Sequence, residues 1–476
     1  MGTFDERPRL ALSAFLMNTS SHILGGLWRH PDAQQHRFYD PQIWIDVAKK
    51  LEAAKFDSLF FADVVGLYGD HEGGWASHVR KGLQIPTHDP LTLLAAIATH
   101  TKDIGLAATS SVIQAHPFQF ARQMSTLDHI SNGRVGWNIV TSVLANAHIN
   151  FGASTLPAHD DRYGWAEEYV AASYKLWEGS WDDDALLADK DSGIYADPAK
   201  VHKINHRGDY YSIDGPHLAL PSAQRTPFLF QAGSSPRGVQ FAATHAEATF
   251  LFAPHPEYVR KKDAQLTEQL AAAGRKRSDI KVFAGLSFVV GSTEEEAKRL
   301  EAEYDEYLDL HAIIAHIGGG LGVDFGGLDL DTPIGEVKTE GAQGVLEAAL
   351  ASTPGRNPTL RDLAYYRAKQ QQIVGTPDRI ADTLLEWQDA GIDGVNVINH
   401  ILPGSYDNFI DGLLPELQDR GIAQREYAQG SLRQKLFGRG DYLPANHPAA
   451  QYRGAFDDLS AEAAERSLEL ARGSEG

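Results

Sequence analysis

Residues 228–238, FLFQAGSSPRG, place Ser234 and Ser235 where an apolar run of strand character gives way to a helix. The run stops at Gly233 and Pro236 opens the next helical turn, so two hydroxyls and several free backbone N–H groups converge on one point. Such a junction seats an oxyanion or a phosphate ester, and it suits a phosphorylated cofactor without saying which. The same residues also suit an ordinary capped helix start, in which a serine satisfies only its own first turn. His22 precedes an apolar stretch and fits either proton donation or a structural place. Asn138 follows Trp137 inside an apolar run, and its amide needs partners, either a cofactor edge or a neighbouring strand-end group.

Other chemistries are poorly provided for. The chain has no cysteine, which excludes disulfides, thiol nucleophiles, iron–sulfur clusters and cysteine-ligated zinc. His71-Glu72, His159-Asp160-Asp161 and His202 with His206 are the tempting metal pairs, but none has a His-Glu-x-x-His arrangement or a defensible third ligand, so no metal is expected. No phosphate-binding glycine loop or dinucleotide fingerprint occurs. Asp63 has no second carboxylate at a matching position for glycoside hydrolysis. A neutral polar pocket of this kind does little hard chemistry itself, which points to a bound organic cofactor oriented and shielded by the protein.

The elements that must position these residues follow from the apolar patterning. Eight short branched or aromatic runs, at 10–16, 58–62, 104–110, 135–141, 228–231, 248–252, 282–290 and 394–398, alternate with helical patterns. That alternation predicts an α/β fold, a (β/α)8 TIM barrel of parallel strands with crossover helices. Helical spacing is clear from Trp44, after Pro90, over 118–129, over 165–177, after Pro256 and after Thr376-Pro377. Residues 181–227 form an insertion after the fourth strand and residues 311–375 a longer one after the seventh. Gly318-Gly319-Gly320 and Gly326-Gly327 mark an irregular, low-propensity run within the latter. Residues 1–424 are thus expected as one barrel domain. Residues 425–476 are expected as an arm and tail, the arm packing on its own barrel or on a partner and the tail ending in a short charged helix over 457–476. In a parallel barrel the active site lies beyond the carboxyl ends of the strands, which directs attention to residues 17–22, 63–68, 109–111, Asn138, Thr141, Ser142, 231–235, Asn399 and His400.

Long stretches in order along nearly the whole chain carry a resemblance: GLWRHP at 26–31, FDSLFFADVVG at 56–66, RQMSTLDHISNGRVGWNIVTS at 122–142, AHDDRY at 158–163, then DPAKVHKINHRG, GPHLALPSAQRTP, QAGSSPRG, AHIGGG and KLFGRGDYLP. The sequence resembles the bacterial luciferase-like flavin monooxygenases, in the branch of nitrilotriacetate, dibenzothiophene sulfone, dimethyl sulfide and long-chain alkane monooxygenases. The resemblance implies a homodimeric or homotetrameric enzyme that takes reduced FMN from a separate NAD(P)H-dependent flavin reductase. It would react that flavin with O₂ to a C4a-hydroperoxide and oxygenate a small organic substrate such as an alkane, thioether or amine. Ser234, Ser235 and Tyr163 would hold the FMN phosphate with support from His159, and Asp63, Thr109 and Asn138 would lie along the ring and ribityl chain. His22, Tyr68, Gln84 and His316 would line the substrate side, His22 as the first candidate proton donor. The glycine-rich 318–327 segment would close over the site.

Two departures concern the substrate: Thr19 stands where the alkane enzymes' pattern has a cysteine, and Val143 where it has a histidine. A flavin- or deazaflavin-dependent hydride-transfer enzyme on the same barrel is the alternative reading. With a net charge of -20 and dispersed basic residues, no nucleic-acid or acidic-lipid surface is expected. No apolar run approaches the ~18 residues of a membrane span, and a cytoplasmic location is expected.

Overall fold

The computed structural model describes residues 8–456 apart from 70, 338–349, 352 and 356. Its centre is a ring of eight parallel strands: β1 Ala11–Met17, β2 Ser58–Ala62, β3 Gly105–Ser111, β4 Val135–Val140, β5 Phe228–Gln231, β6 Ala248–Leu251, β7 Lys281–Val290 and β8 Gly394–Ile398. Neighbours pair in chain order, and β8 pairs with β1 while β6 pairs with β7, so the ring closes. Both faces of each strand are covered, which is why the sequence shows them as continuous apolar runs rather than alternating ones.

The ring is filled by aromatic side chains. Phe15, Phe60, Phe228, Phe230, Phe250 and Phe283 form one buried cluster with small residues from the other strands. Large rings fit because facing positions are glycine. A Cβ on Gly136 would lie 2.9 Å from Phe230, one on Gly285 2.7 Å from Phe250, and one on Gly394 2.5 Å from Phe283. Alternation of large and small side chains thus fills the interior.

The floor of the ring is sealed by the arm. Helix Leu432–Phe437 crosses the amino ends of the strands: Leu432 N–H donates to Gly133 O, Phe437 stacks on Phe228, and Leu432 joins the ring's interior cluster. Arg433, fully buried, is bound bidentately to Glu247 at 2.6 and 2.8 Å and also donates to the carbonyls of Gln224, Thr226, Pro227 and Asp441. The arm therefore packs on its own barrel. The charged helix expected over 457–476 lies outside the described residues.

The 181–227 segment holds turns, isolated bridges and one antiparallel ribbon, His206–Arg207 with Ser212–Ile213. The insertion after β7 departs from expectation. Residues Leu310–Leu321 form a regular helix that includes Gly318, Gly319 and Gly320, followed by helix Leu360–Lys369 and a strand, Gln372–Gly375, parallel to the far half of β7. Glycine is disfavoured in helices by about 1 kcal/mol, but tertiary packing overrides that here. A Cβ on Gly319 would lie 2.6 Å from Cβ of Tyr68, and one on Gly318 2.4 Å from Val323 O. Gly318 and Gly319 are glycine because the helix lies against its neighbours at close range there. A second small core joins this insertion to the loop after β1 through Leu24, Leu27, Ile313, Ile314, Val323 and Phe325.

Candidate functional site

Beyond the carboxyl ends of the strands lies a cavity of about 400 Å³. Eight of the residues singled out in the sequence line it: His22, Asp63, Tyr68, Gln84, Thr109, Asn138, Tyr163 and His316. His22 comes from the loop after β1, and Asp63, Tyr68 and Gln84 from the loop after β2. Thr109 and Asn138 sit directly opposite each other in the β3–β4 register. His316 projects from helix Leu310–Leu321, whose regular structure fixes it more firmly than the irregular closing segment expected there.

One side of the cavity is neutral imidazole, amide and phenol. The His22 ring lies 4.6 Å from Phe15, and its backbone carbonyl accepts a bond from Gln84 Nε2 at 3.0 Å. Gln84 holds a left-handed φ of 54°, an uncommon conformation for a non-glycine residue, which marks its place in the wall as enforced by its surroundings. Burial, with His316 nearby, pushes the His22 pKa down to about 3. Burial and the proximity of His78 lower that of His316 to about 4. Both rings are therefore neutral at ordinary pH and can each donate and accept a hydrogen bond. Tyr68 lies 4.8 Å from the His316 ring, and burial raises its pKa, so it keeps its proton.

The polar middle of the cavity is Thr109, Asn138 and Asp63. Asn138 Nδ2 donates to Thr109 Oγ1 at 2.9 Å, while its Oδ1 has no hydrogen-bond partner. A buried amide oxygen left this way is costly unless a ligand donor meets it. Asp63 is pushed up to about 7, chiefly by burial and further by the charge of Asp89, against the pull of the Val64 N–H.

At the far end two helices meet nose to nose. The helix expected over 165–177 begins earlier, spanning His159–Gly179, so His159 and Tyr163 are one turn apart on its first face. Ser235 caps helix Pro236–His245 by accepting from Gly238 N at 3.1 Å, and its Oγ lies 3.3 Å from His159 Nε2. Both readings of that serine thus hold in part: it is a helix cap, and it faces the second helix start. Burial raises the pKa of the Tyr163 hydroxyl, against the lowering effect of the neighbouring Ser235 and Gln231 side chains. Its approach requires glycine at two positions, because a Cβ on Gly233 or on Gly238 would lie 2.8 Å from that oxygen. Glu167 ties the two helices together, accepting from His245 Nε2 at 2.6 Å and Arg237 at 3.1 Å. Ser234, His159 and Ser235 lie outside the main cavity; Ser234 shares with Gly233 a small adjoining pocket, and its side chain is exposed.

The residues fit a flavin mononucleotide. A ring edge can meet Asn138 Oδ1, and the glycine cradle and two helix starts with their N–H donors suit a phosphate dianion. Phe15, Phe60, Phe250 and Phe252 complete the wall. They were missed in the sequence reading, because Phe15 on β1, Phe60 on β2 and Phe250 on β6 reveal an inward face only once the register is known. Thr19 is not in the main cavity: its hydroxyl donates to Pro86 O at 2.7 Å, whereas Val143 does line it. The tempting metal pairs are engaged otherwise, His202 with Asp182 and His206 with Glu168. Among the described residues no three His, Asp or Glu side chains converge, and no helix is long and apolar enough to cross a membrane.

The luciferase-like monooxygenase family matches residues 17–394. Long-chain alkane monooxygenase of Geobacillus thermodenitrificans (strain NG80-2) is 42% identical over 447 residues, 94% of this chain and 98% of that one. Dimethyl-sulfide monooxygenase of Hyphomicrobium sulfonivorans is 42% identical over 455 residues, 94% and 95% of the two chains. The crystal structure of riboflavin lyase with modified FMN and substrate riboflavin superimposes with a TM-score of 0.85 at 36% identity, covering 94% of this chain and 99% of that one.

Proposed function

We propose, from the premise that the chain belongs to the luciferase-like monooxygenase family, that it receives reduced FMN from a separate NAD(P)H-dependent flavin reductase and oxygenates a small organic substrate such as an alkane, thioether or amine. The enzyme is an FMNH₂-dependent monooxygenase; bound reduced flavin supplies the two electrons that send one oxygen atom of O₂ into product and the other into water. The observation that supports this reading most is the continuity of one cavity, from the cradle at Gly233 and Tyr163 to the neutral chamber at His22 and His316.

In this reading Ser234, Ser235, Tyr163 and His159 hold the phosphate, and the helix N-termini favour its charge without a basic surface. Thr109 and Asn138 orient the polar edge of the ring. A carboxyl poised near 7, as at Asp63, can donate or accept a hydrogen bond there. His22, neutral with one ring N–H beside the chamber, can donate a hydrogen bond to the oxygen that leaves as water and is the first candidate to relay a proton to it, taking up another on its second ring nitrogen. Phe15, Phe60 and Phe250 with Met17 and Ile23 give an apolar wall that suits a substrate of low charge. Neither Thr19 nor Val143 supplies the polarity of the alkane-enzyme pattern, so the reading extends beyond alkanes.

The experiment supplies FMNH₂ enzymatically under ¹⁸O₂ and screens alkanes, thioethers and amines by mass spectrometry. Incorporation of one ¹⁸O atom, dependent on the reductase, is the expected result. Substrate oxidation that proceeds without O₂ would overturn the reading in favour of hydride transfer.

A further inference from the structure

The loop after β2 and the helix Leu310–Leu321, which carry Tyr68 and His316, are tied to each other by carboxylates at both ends of that helix. At its amino end Asp309 caps Ala312 N with Oδ1 and binds Lys81 Nζ with Oδ2 at 2.6 Å, while its own N–H donates to Gly25 O. Beyond its carboxyl end the chain turns at Gly322, and Val323 and Phe325 enter the small core on either side of Asp324. Asp324 Oδ1 accepts from Glu72 N at 2.9 Å and Gly326 N at 2.7 Å, and Oδ2 accepts from Gly73 N at 2.9 Å.

The receiving turn is built for that carboxylate. Glu72 and Gly73 are consecutive left-handed residues, with φ of 54° and 72°, and such a pair points successive N–H groups into one anion-binding concavity. Glu72 is held in this conformation against its own preference. The contact is close: a Cβ on Gly326 would lie 2.1 Å from Glu72 N. Burial works against ionisation of Asp324, but the N–H groups of Gly73, Gly326 and Glu72 and the nearby His71 outweigh it and hold the carboxyl below its ordinary range.

We propose that Asp324 is a positioning residue of the substrate chamber. By clasping the 72–73 turn it fixes the loop that carries Tyr68 against the helix that carries His316, so that both side chains form one closed roof. This inference rests on the substrate-side roles given to Tyr68 and His316 above. Its function is to keep water from the reacting oxygen, so the clasp sets how much flavin oxidation ends in product rather than in hydrogen peroxide.

The test compares Asp324→Ala and Asp324→Asn with wild type, and with Asp331→Asn as a control. Asp331 lies in the same insertion, with its carboxylate on Arg361 rather than on the β2 loop. Asn keeps the Oδ1 acceptor but turns an NH₂ donor toward Gly73 N–H, so it is expected to fall between wild type and Ala. Expected for Asp324→Ala is unchanged FMN affinity, a substrate KM raised by about five- to tenfold, and a larger share of hydrogen peroxide per FMNH₂ consumed. Iodide should also quench bound oxidised FMN more effectively in this variant, and Asp331→Asn should match wild type throughout. A folded Asp324→Ala protein with wild-type KM, peroxide yield and quenching overturns the proposal, as does a loss of FMN affinity in step with thermal stability. If wild type oxygenates none of the substrates offered, the functional reading fails by itself, and the quenching measurement still decides the clasp.

Discussion

Replacing Asp63 by Asn should stabilise the ligand-free protein, and more so at higher pH. In the fold the carboxyl is raised from its ordinary 3.8 to about 7, first by burial and then by Asp89. Between those values the unfolded chain has released this proton while the folded chain still holds it, so stability falls as pH rises, by 1.36 kcal/mol per pH unit. Integrated over the window, the penalty is about 1.6 kcal/mol at pH 5 and reaches an upper bound of about 4 kcal/mol by pH 8. Asn has nearly the same volume, forms no charge and removes the penalty at both values. At the unfolding entropy typical of globular proteins, a chain of 476 residues gains roughly 1 °C in Tm per kcal/mol. Calorimetry of the flavin-free protein should therefore show Asp63→Asn melting about 4 °C above wild type at pH 8 and 1–2 °C above it at pH 5. A shift that is the same at both pH values would refute the reasoning, and a lower Tm at pH 8 would reverse its sign.

Ser234→Ala should leave Tm within the range of an ordinary surface substitution but weaken FMN binding by about tenfold, the loss of one hydrogen bond to a charged group. Ser235→Ala should do the same and also cost about 1 kcal/mol of stability, because that serine caps its helix. Titration of FMN against both variants checks this, and wild-type affinity in Ser234→Ala would remove that residue from the seat. Glu247→Gln leaves the buried Arg433 guanidinium without its carboxylate and should cost about 3–5 kcal/mol. Calorimetry and limited proteolysis at residues 431–443 report it, and an unchanged Tm would show that the Arg433 carbonyl bonds and the apolar contacts hold the arm without the ion pair.

The barrel was legible because buried parallel strands write themselves as continuous apolar runs, and each of the eight runs lies within two residues of the observed strand. Helix starts were legible where Pro announced them, as at Pro90 and Thr376-Pro377, whereas the helix read from Trp44 begins at Pro41. The start at His159 was hidden because Ala158 offers no capping group, leaving only Asp160 and Asp161 in the first turn as a clue. Helix Leu310–Leu321 was hidden for the opposite reason. Three glycines argue locally for coil, and the contact of Gly319 with Tyr68 that explains one of them joins residues far apart in the chain. Within the site, strand ends located His22, Asp63, Thr109 and Asn138, since position beyond a strand follows from the strand itself. The aromatic wall required knowledge of which face of each strand points inward, and that comes only with the register.

The seal beneath the barrel has a bearing on how the protein is made. Strands β3 to β6 are translated long before residues 431–443, yet Leu432, Arg433, Leu436 and Phe437 of that segment pack on the floor of the ring. Until that segment is made, Glu247 lacks its guanidinium partner and keeps the Leu229 N–H at 3.1 Å. The Arg433–Glu247 pair can form only once residue 433 has been made, so closure of the barrel floor is a late event of folding.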